Sequence, residues 1–285
     1  MIRAPLGDEK YWSERLEKRQ AWLDEAVPLL EQPSRNPTYQ PQFALNVSKE
    51  VFRLIMTKYS AGKPIVELGR HFEPILDAWE LSNRLAEEVC AANRLETCRD
   101  WSFQLSNLNH YNWCFWLLGL ALALEVCDDE WERLIALIGA EGEDMLIDSI
   151  IATRKPQRIV GKRLLHAKPY ARLRAAIEAP SPAQEELLRD FVSHWYDELE
   201  RKGDAELWWY VFGDPAKHPL KLGSYFGRWC LEAVAAVKAF GVDDRLCLRL
   251  QHYPADLAHP EITTETSALA GKNWALQMIS RIFRV

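Results

Sequence analysis

An all-α fold, a multi-helix bundle of two closely packed helical lobes, is what the sequence predicts, and three observations carry the prediction. Apolar residues recur every three to four positions along almost the whole chain, the period of one helix face. No segment alternates apolar and polar residues convincingly; only Leu207 to Phe212 reads equally as a helix end or a short strand. Composition fits a packed core: 48% hydrophobic and 27% charged over 285 residues is globular and excludes a disordered chain. The twelve Trp are unusual, and wide rings filling gaps between helices account for roughly three quarters of them.

The elements follow in order. Asp8 caps a helix carrying Tyr11, Trp12, Leu16, Leu23, Ala26, Val27 and Leu30, which ends before Pro33. Residues 32–41 hold three prolines and form a loop. A second helix runs from about Phe43 to Ser60 and is broken by Gly62 and Pro64. Pro64 opens a third, with Leu68, Phe72, Ile75, Leu76 and Trp79 inward and a kink expected at Pro74. From Leu81 to Arg99 the pattern continues, Leu85, Val89 and Cys90 on the buried side. About Leu105 to Glu125 comes the most hydrophobic helix, whose apolar run from Trp113 to Leu124 is too short to span a bilayer. Asp128 opens a helix with Trp131, Leu134, Ile135 and Ile138 inward, and another begins near Glu143. Arg154 to Arg174 reads as a loop passing into short helices, and Pro180 and Pro182 introduce a helix to about Arg201. After Gly223, the spacing of Phe226, Trp229, Val234, Val237 and Phe240 predicts a buried helix from Tyr225. Gly241 stops it, and Asp243 caps a new helical turn. Tyr253 to Leu257 is a fixed turn, because Pro254 keeps Tyr253 out of helical geometry. A last helix is expected from about Glu265 to Ile282, with Leu269, Trp274, Leu276 and Ile279 inward. The helices at 105–125 and from Tyr225 look like counterparts, each starting with Tyr and Trp and leading to an Asp-Asp pair, which suggests a weak internal repeat.

The order of an aromatic-rich helix, Gly241-Val242-Asp243-Asp244 and then Tyr253-Pro254-x-Asp256-Leu257 resembles the C-terminal domain of the PoNi family, immunity proteins found with PoNe-type polymorphic DNase toxins. The N-terminal half is similar too: Tyr59-Ser60-x-Gly62, leading to the helix near Trp79 and Glu80, and the Leu117 to Val126 helix followed by Asp128 and Asp129. The resemblance implies two domains, 1–155 and 156–285, and a non-enzymatic protein that binds a cognate DNase effector, delivered between competing bacteria through type VI secretion. Tyr59, Gly62, Gly241, Asp243, Tyr253, Pro254, Asp256 and Leu257 are then motif residues with structural roles, the last four holding the final helix against the Tyr225 helix.

Charge is segmented. Residues 71–150 hold sixteen acids and four bases, a balance of -12, and residues 151–176 hold eight bases and no acid. Asp128, Asp129, Glu130, Glu132, Glu141, Glu143, Asp144 and Asp148 lie on two consecutive helices and their connection, so a shared negative face is expected, able to meet the positive surface with which a nuclease holds phosphates. The basic stretch Arg154, Lys155, Arg158, Lys162, Arg163, Lys168, Arg172 and Arg174 supports a rival reading as a nucleic-acid-binding regulator, although only Tyr170 interleaves, and pairing with the adjacent acids is the simpler expectation. A third reading, a helical metal-dependent enzyme, rests on His252, Asp256 and His259. No glycine-rich phosphate loop, nucleophile elbow or paired-His helix is present, so neither cofactor nor metal is expected. The first twelve residues lack an apolar leader core, and Cys90, Cys98, Cys114, Cys127, Cys230 and Cys247 show no close pairing in sequence; free thiols in a reducing cytoplasm are expected.

Overall fold

The computed structural model describes residues 1–32, 34–99 and 103–260. Ten α-helices occur among them: α1 (Glu9–Leu30), α2 (Gln40–Ser60), α3 (Glu73–Asn93), α4 (Leu108–Ala123), α5 (Asp128–Ile138), α6 (Met145–Ala152), α7 (Ala167–Glu178), α8 (Ser181–Glu198), α9 (Leu231–Phe240) and α10 (Ala255–Ala258). No strand occurs among the described residues. The expected helix at 265–282 lies outside them.

Local chemistry sets most of the ends. The Asp8 carboxylate accepts from the Tyr11 amide at the start of α1, and Gly241, at φ 64°, ends α9 with its amide on the Val237 carbonyl. Two expectations change. Pro74 sits in the first turn of α3, where a missing N–H costs nothing, so it starts that helix and does not kink it; residues 65–71 form short 3-10 turns, and α3 ends at Arg94 in left-handed geometry. Leu207 to Phe212 is turn, neither helix nor strand.

The Tyr225 helix is the larger correction. Residues 223–230 are not helical, and α9 begins only at Leu231. The carbonyls a helix would use internally are taken by donors from elsewhere: Tyr11 Oη on Tyr225 O at 2.8 Å, Ser60 Oγ on Phe226 O at 2.7 Å and His252 on Arg228 O at 3.0 Å. Gly227, at φ 106°, lies against the Ser60 hydroxyl and the Trp229 indole, where a Cβ would stand 2.3 and 2.2 Å from them. The proposed likeness between this segment and α4 therefore fails at its Tyr-Trp start. After Gly241 no new helix forms either; Asp243 accepts from the Arg245 amide at 3.1 Å in a plain turn.

At the centre α4 packs on α9, α2 lies between α1 and α3, and α7 pairs with α8. All contribute to one contiguous apolar core. Ten Trp are described, and eight are buried: Trp12, Trp79, Trp113, Trp116, Trp131, Trp195, Trp209 and Trp229. They link elements, as where Phe52 of α2 stacks on Trp116 of α4 at 5.3 Å, and Trp116 meets Trp209, which stacks on Trp195 of α8. At Gly119 α4 comes close to the start of α9, for a Cβ there would meet the Leu231 carbonyl oxygen at 2.4 Å. Gly119→Ala is therefore expected to cost about 1–3 kcal/mol by forcing the two helices apart; urea unfolding measures this, and an unchanged midpoint would refute the close contact. Among the described residues no helix is long and apolar enough to cross a membrane.

Candidate functional site

The expected acidic face divides into an inside and an outside. Asp144 and Asp148 have no exposed surface, so they leave the face. Each is a hub for backbone groups. Asp144 caps α6, its Oδ1 accepting from the Leu146 and Ile147 amides and from Tyr111 Oη, all at 2.9 Å, while Oδ2 takes the Leu165 amide. Asp148 Oδ2 accepts the amides of Gly142, Asp144 and Gly161, and Oδ1 accepts Arg158 Nε at 2.8 Å. Arg158, also buried, donates on to the Gly139 carbonyl. One carboxylate thus ties residues 139–161 into a closed double loop.

Asp128, Asp129, Glu132, Glu141 and Glu143 are exposed. Two of them are neutralised by the start of the basic stretch: Asp128 pairs with Arg154 at 2.7 Å and Glu132 with Lys155. Glu130 accepts the Cys127 amide as part of the α5 cap, and Glu141 accepts the Ile159 amide. The face gains residues that sequence reasoning missed. Arg133 of α5 reaches across to α3 and is met by Glu73, Asp77 and Glu80, three carboxylates on one guanidinium. The bonds that Arg133 donates to Glu80 and Asp77 hold it above its usual pKa range. Their signal in the sequence was the three- and four-residue spacing of 73, 77 and 80, which puts all three on one side of α3. What remains is a surface of α3, α5 and the 139–144 turn in which acids outnumber bases.

Further along the basic stretch, Arg172 pairs with Asp190 and Glu198, and Arg174 with Glu178. With Arg154, Lys155 and Arg158 also engaged, five of the eight bases belong to internal pairs, while Lys162, Arg163 and Lys168 stay exposed.

The two motif regions meet each other. Tyr59 Oη donates to Asp256 Oδ1, and Arg3 Nε donates to Asp256 Oδ2 at 2.5 Å while its Nη1 holds the Tyr59 and Lys63 carbonyls. Burial, and then the Asp256 charge, push the Tyr59 hydroxyl well above its ordinary pKa, so it stays a donor. Gly62, at φ 85°, makes room for the N-terminal segment, because a Cβ would stand 2.0 Å from the Met1 carbonyl oxygen. Asp256 thus holds the first residues of the chain and the end of α2; the last helix that this motif was expected to hold lies outside the described residues. Leu257 is buried, and Pro254 opens α10. Tyr253 Oη and His259 Nε2 both converge on Asp244, a buried residue of the Asp-Asp pair to which no separate role had been assigned beside Asp243.

His252, Asp256 and His259 face three separate partners, the Arg228 carbonyl, the Tyr59–Arg3 pair and Asp244, and do not converge on one point. Among the described residues no group of three His, Cys, Asp or Glu is placed to hold a metal ion.

The model of the PoNe immunity protein (PoNi) N-terminal domain matches residues 3–136, and that of the PoNe immunity proteins (PoNi) C-terminal domain matches residues 142–257. No curated protein matches the sequence. Among solved structures the fold is similar to the crystal structure of protein PA2201 from Pseudomonas aeruginosa, at 18% identity, a TM-score of 0.64 and 90% coverage of each chain, a likeness of fold alone. With both halves matched in order and the two motif regions in contact, the chain belongs to the PoNe immunity protein (PoNi) family.

Proposed function

We propose that this immunity protein binds its cognate DNase toxin and neutralises it by covering the positive surface with which the toxin holds DNA. The family match over both halves of the chain carries the reading. The α3/α5 surface supports it: Glu73, Asp77 and Glu80 around Arg133, with exposed Asp129 on α5 and exposed Glu143 on the turn after it, make a negative field that speeds encounter with a phosphate-binding protein and repels DNA. The protein acts by stoichiometric binding and carries out no reaction. In this reading it works in the cytoplasm of the producing cell, against a toxin delivered through type VI secretion.

Co-purification with the product of the neighbouring gene, followed by a DNA-cleavage assay with and without this protein, tests the proposal. A stable complex with suppressed cleavage is expected; a neighbour that neither binds nor cleaves DNA overturns it. Asp129→Lys with Glu143→Lys, both at exposed positions, is expected to slow association roughly tenfold or more and to flatten its salt dependence, with helicity unchanged. Association kinetics that do not move would remove this surface from the mechanism.

A further inference from the structure

A groove of about 680 Å³ lies between α1, α2 and the turns near residues 208–223. Its walls carry Arg15, Lys18, Arg19 and Arg53 beside the Glu50 carboxylate. In a chain of net charge -6 this concentration of positive charge is local and does not follow from composition. Glu50 is divided, one oxygen to Arg19 and the other to Arg53 at 3.0 Å. The Arg19 side chain is only 9% exposed, and the Nε atoms of Arg15, Arg19 and Arg53 are buried without a hydrogen-bond partner. The Arg53 guanidinium carbon stands over the Trp208 ring, 4.5 Å from its centroid, a cation–π contact that restrains the side chain. Arg15 also meets Glu14 at 3.6 Å, so Arg15, Lys18, Arg19 and Arg53 stand against two carboxylates, and the surplus positive charge is what a bound anion would meet.

We propose that this groove binds an acidic polypeptide segment of the toxin, the guanidinium forks taking Asp or Glu carboxylates. This rests on the reading that the partner is a protein toxin. A nucleic acid fits less well. Arg53 occupies the Trp208 face, which leaves Trp22 as the single exposed ring lining the groove, whereas a strand of bases stacks on several. Groove and acidic face sit on different elements, α1 and α2 against α3 and α5, so a partner with both signs of charge is held in one orientation.

The full chain is titrated at low salt with a fluorescein-labelled hexaglutamate peptide, with inorganic phosphate and a short single-stranded oligonucleotide as separate arms. The peptide is expected to bind most tightly, and Arg15→Glu with Lys18→Glu to weaken it roughly tenfold or more. Lys18→Glu alone, at an exposed position, keeps the test open if the double variant misfolds. Tighter binding of the oligonucleotide, no peptide binding, or indifference to charge reversal overturns the proposal. With the toxin itself, a wild-type complex that charge reversal leaves intact overturns the groove's role alone, whereas the absence of any wild-type complex overturns the toxin reading.

A separate observation concerns cysteines eight residues apart in sequence. Cys90, near the end of α3, and Cys98 are free thiols, as expected, and the fold brings their Sγ atoms to 3.0 Å. We infer that they form a disulfide when a low-molecular-weight disulfide is the oxidant. One cysteine thiolate attacks that disulfide and expels one thiol; the other attacks the mixed disulfide and expels the second. The oxidant takes up the two electrons and the two protons leave with its thiols. Treatment with oxidised glutathione, alkylation and peptide mass mapping is expected to show a Cys90–Cys98 link, with Cys98→Ser retaining a glutathione adduct at Cys90. A stable adduct on wild-type Cys90, or oxidation only at exposed Cys127, overturns it.

Discussion

Asp148→Ala is expected to cost about 3–5 kcal/mol of folding stability, the range for removing one partner of a buried ion pair. The loss has two parts. Arg158, whose side chain is 4% exposed, is left with a charge facing no carboxylate, and the Gly142, Asp144 and Gly161 amides lose their shared acceptor. Against a total of about 5–15 kcal/mol for a folded domain, this is a large fraction. Urea unfolding followed by Trp fluorescence gives the number, and hydrogen exchange is expected to show the opening first at residues 139–161. Asp148→Leu with Arg158→Met removes both charges and is expected to recover part of the loss, because the unpaired guanidinium is gone while the amides remain unmet. A single variant as stable as wild type would refute the hub.

The second expected result is a pH dependence centred on Glu232. This residue lies in the first turn of α9 with no exposed surface, and its Oε1 accepts Tyr170 Oη at 2.9 Å. Burial pushes its carboxyl from the ordinary 4.5 up to about 7, against the opposing pull of its own backbone amide, Trp195, Tyr170 and Cys230. A raised acid pKa means that the folded state keeps a proton the unfolded chain has already lost. Its contribution therefore falls as pH rises through the interval from 4.5 to about 7 and is level above it. The whole interval is worth up to about 3 kcal/mol. Glu232→Gln keeps the acceptor for Tyr170 and cannot ionise, so at pH above 7 it is expected to be more stable than wild type by up to that amount, with the difference vanishing toward pH 4.5. His71 and His110, held near 4 chiefly by burial, work in the opposite sense as pH falls below 6.5, so the difference between variant and wild type isolates the glutamate. A difference that does not change with pH would refute the assignment.

Wherever a neighbour in sequence decides a conformation, the sequence by itself determined the outcome. Asp8 starts α1, Gly241 ends α9, the aligned apolar residues from Asp128 onward give α5, and the prolines at 180 and 182 give α8. These rest on capping atoms and side-chain spacing within one or two turns, where chain entropy is low and no distant partner is needed. The segmentation of charge was equally legible, including the pairing of Arg154 and Lys155 with the acids before them.

Tertiary structure alone decided the rest. Tyr225 to Cys230 has the apolar period of a helix, yet Tyr11, Ser60 and His252 take its carbonyls. Asp144 and Asp148 look in sequence like their neighbours Glu141 and Glu143, yet Tyr111, Arg158 and amides as far off as Leu165 turn them inward. The basic groove gathers Arg15, Arg19 and Arg53 from two helices in which acids are interspersed. A buried charge or a displaced helix bond is tolerated only when particular partners arrive from distant parts of the chain, and a local pattern holds no information about which will arrive.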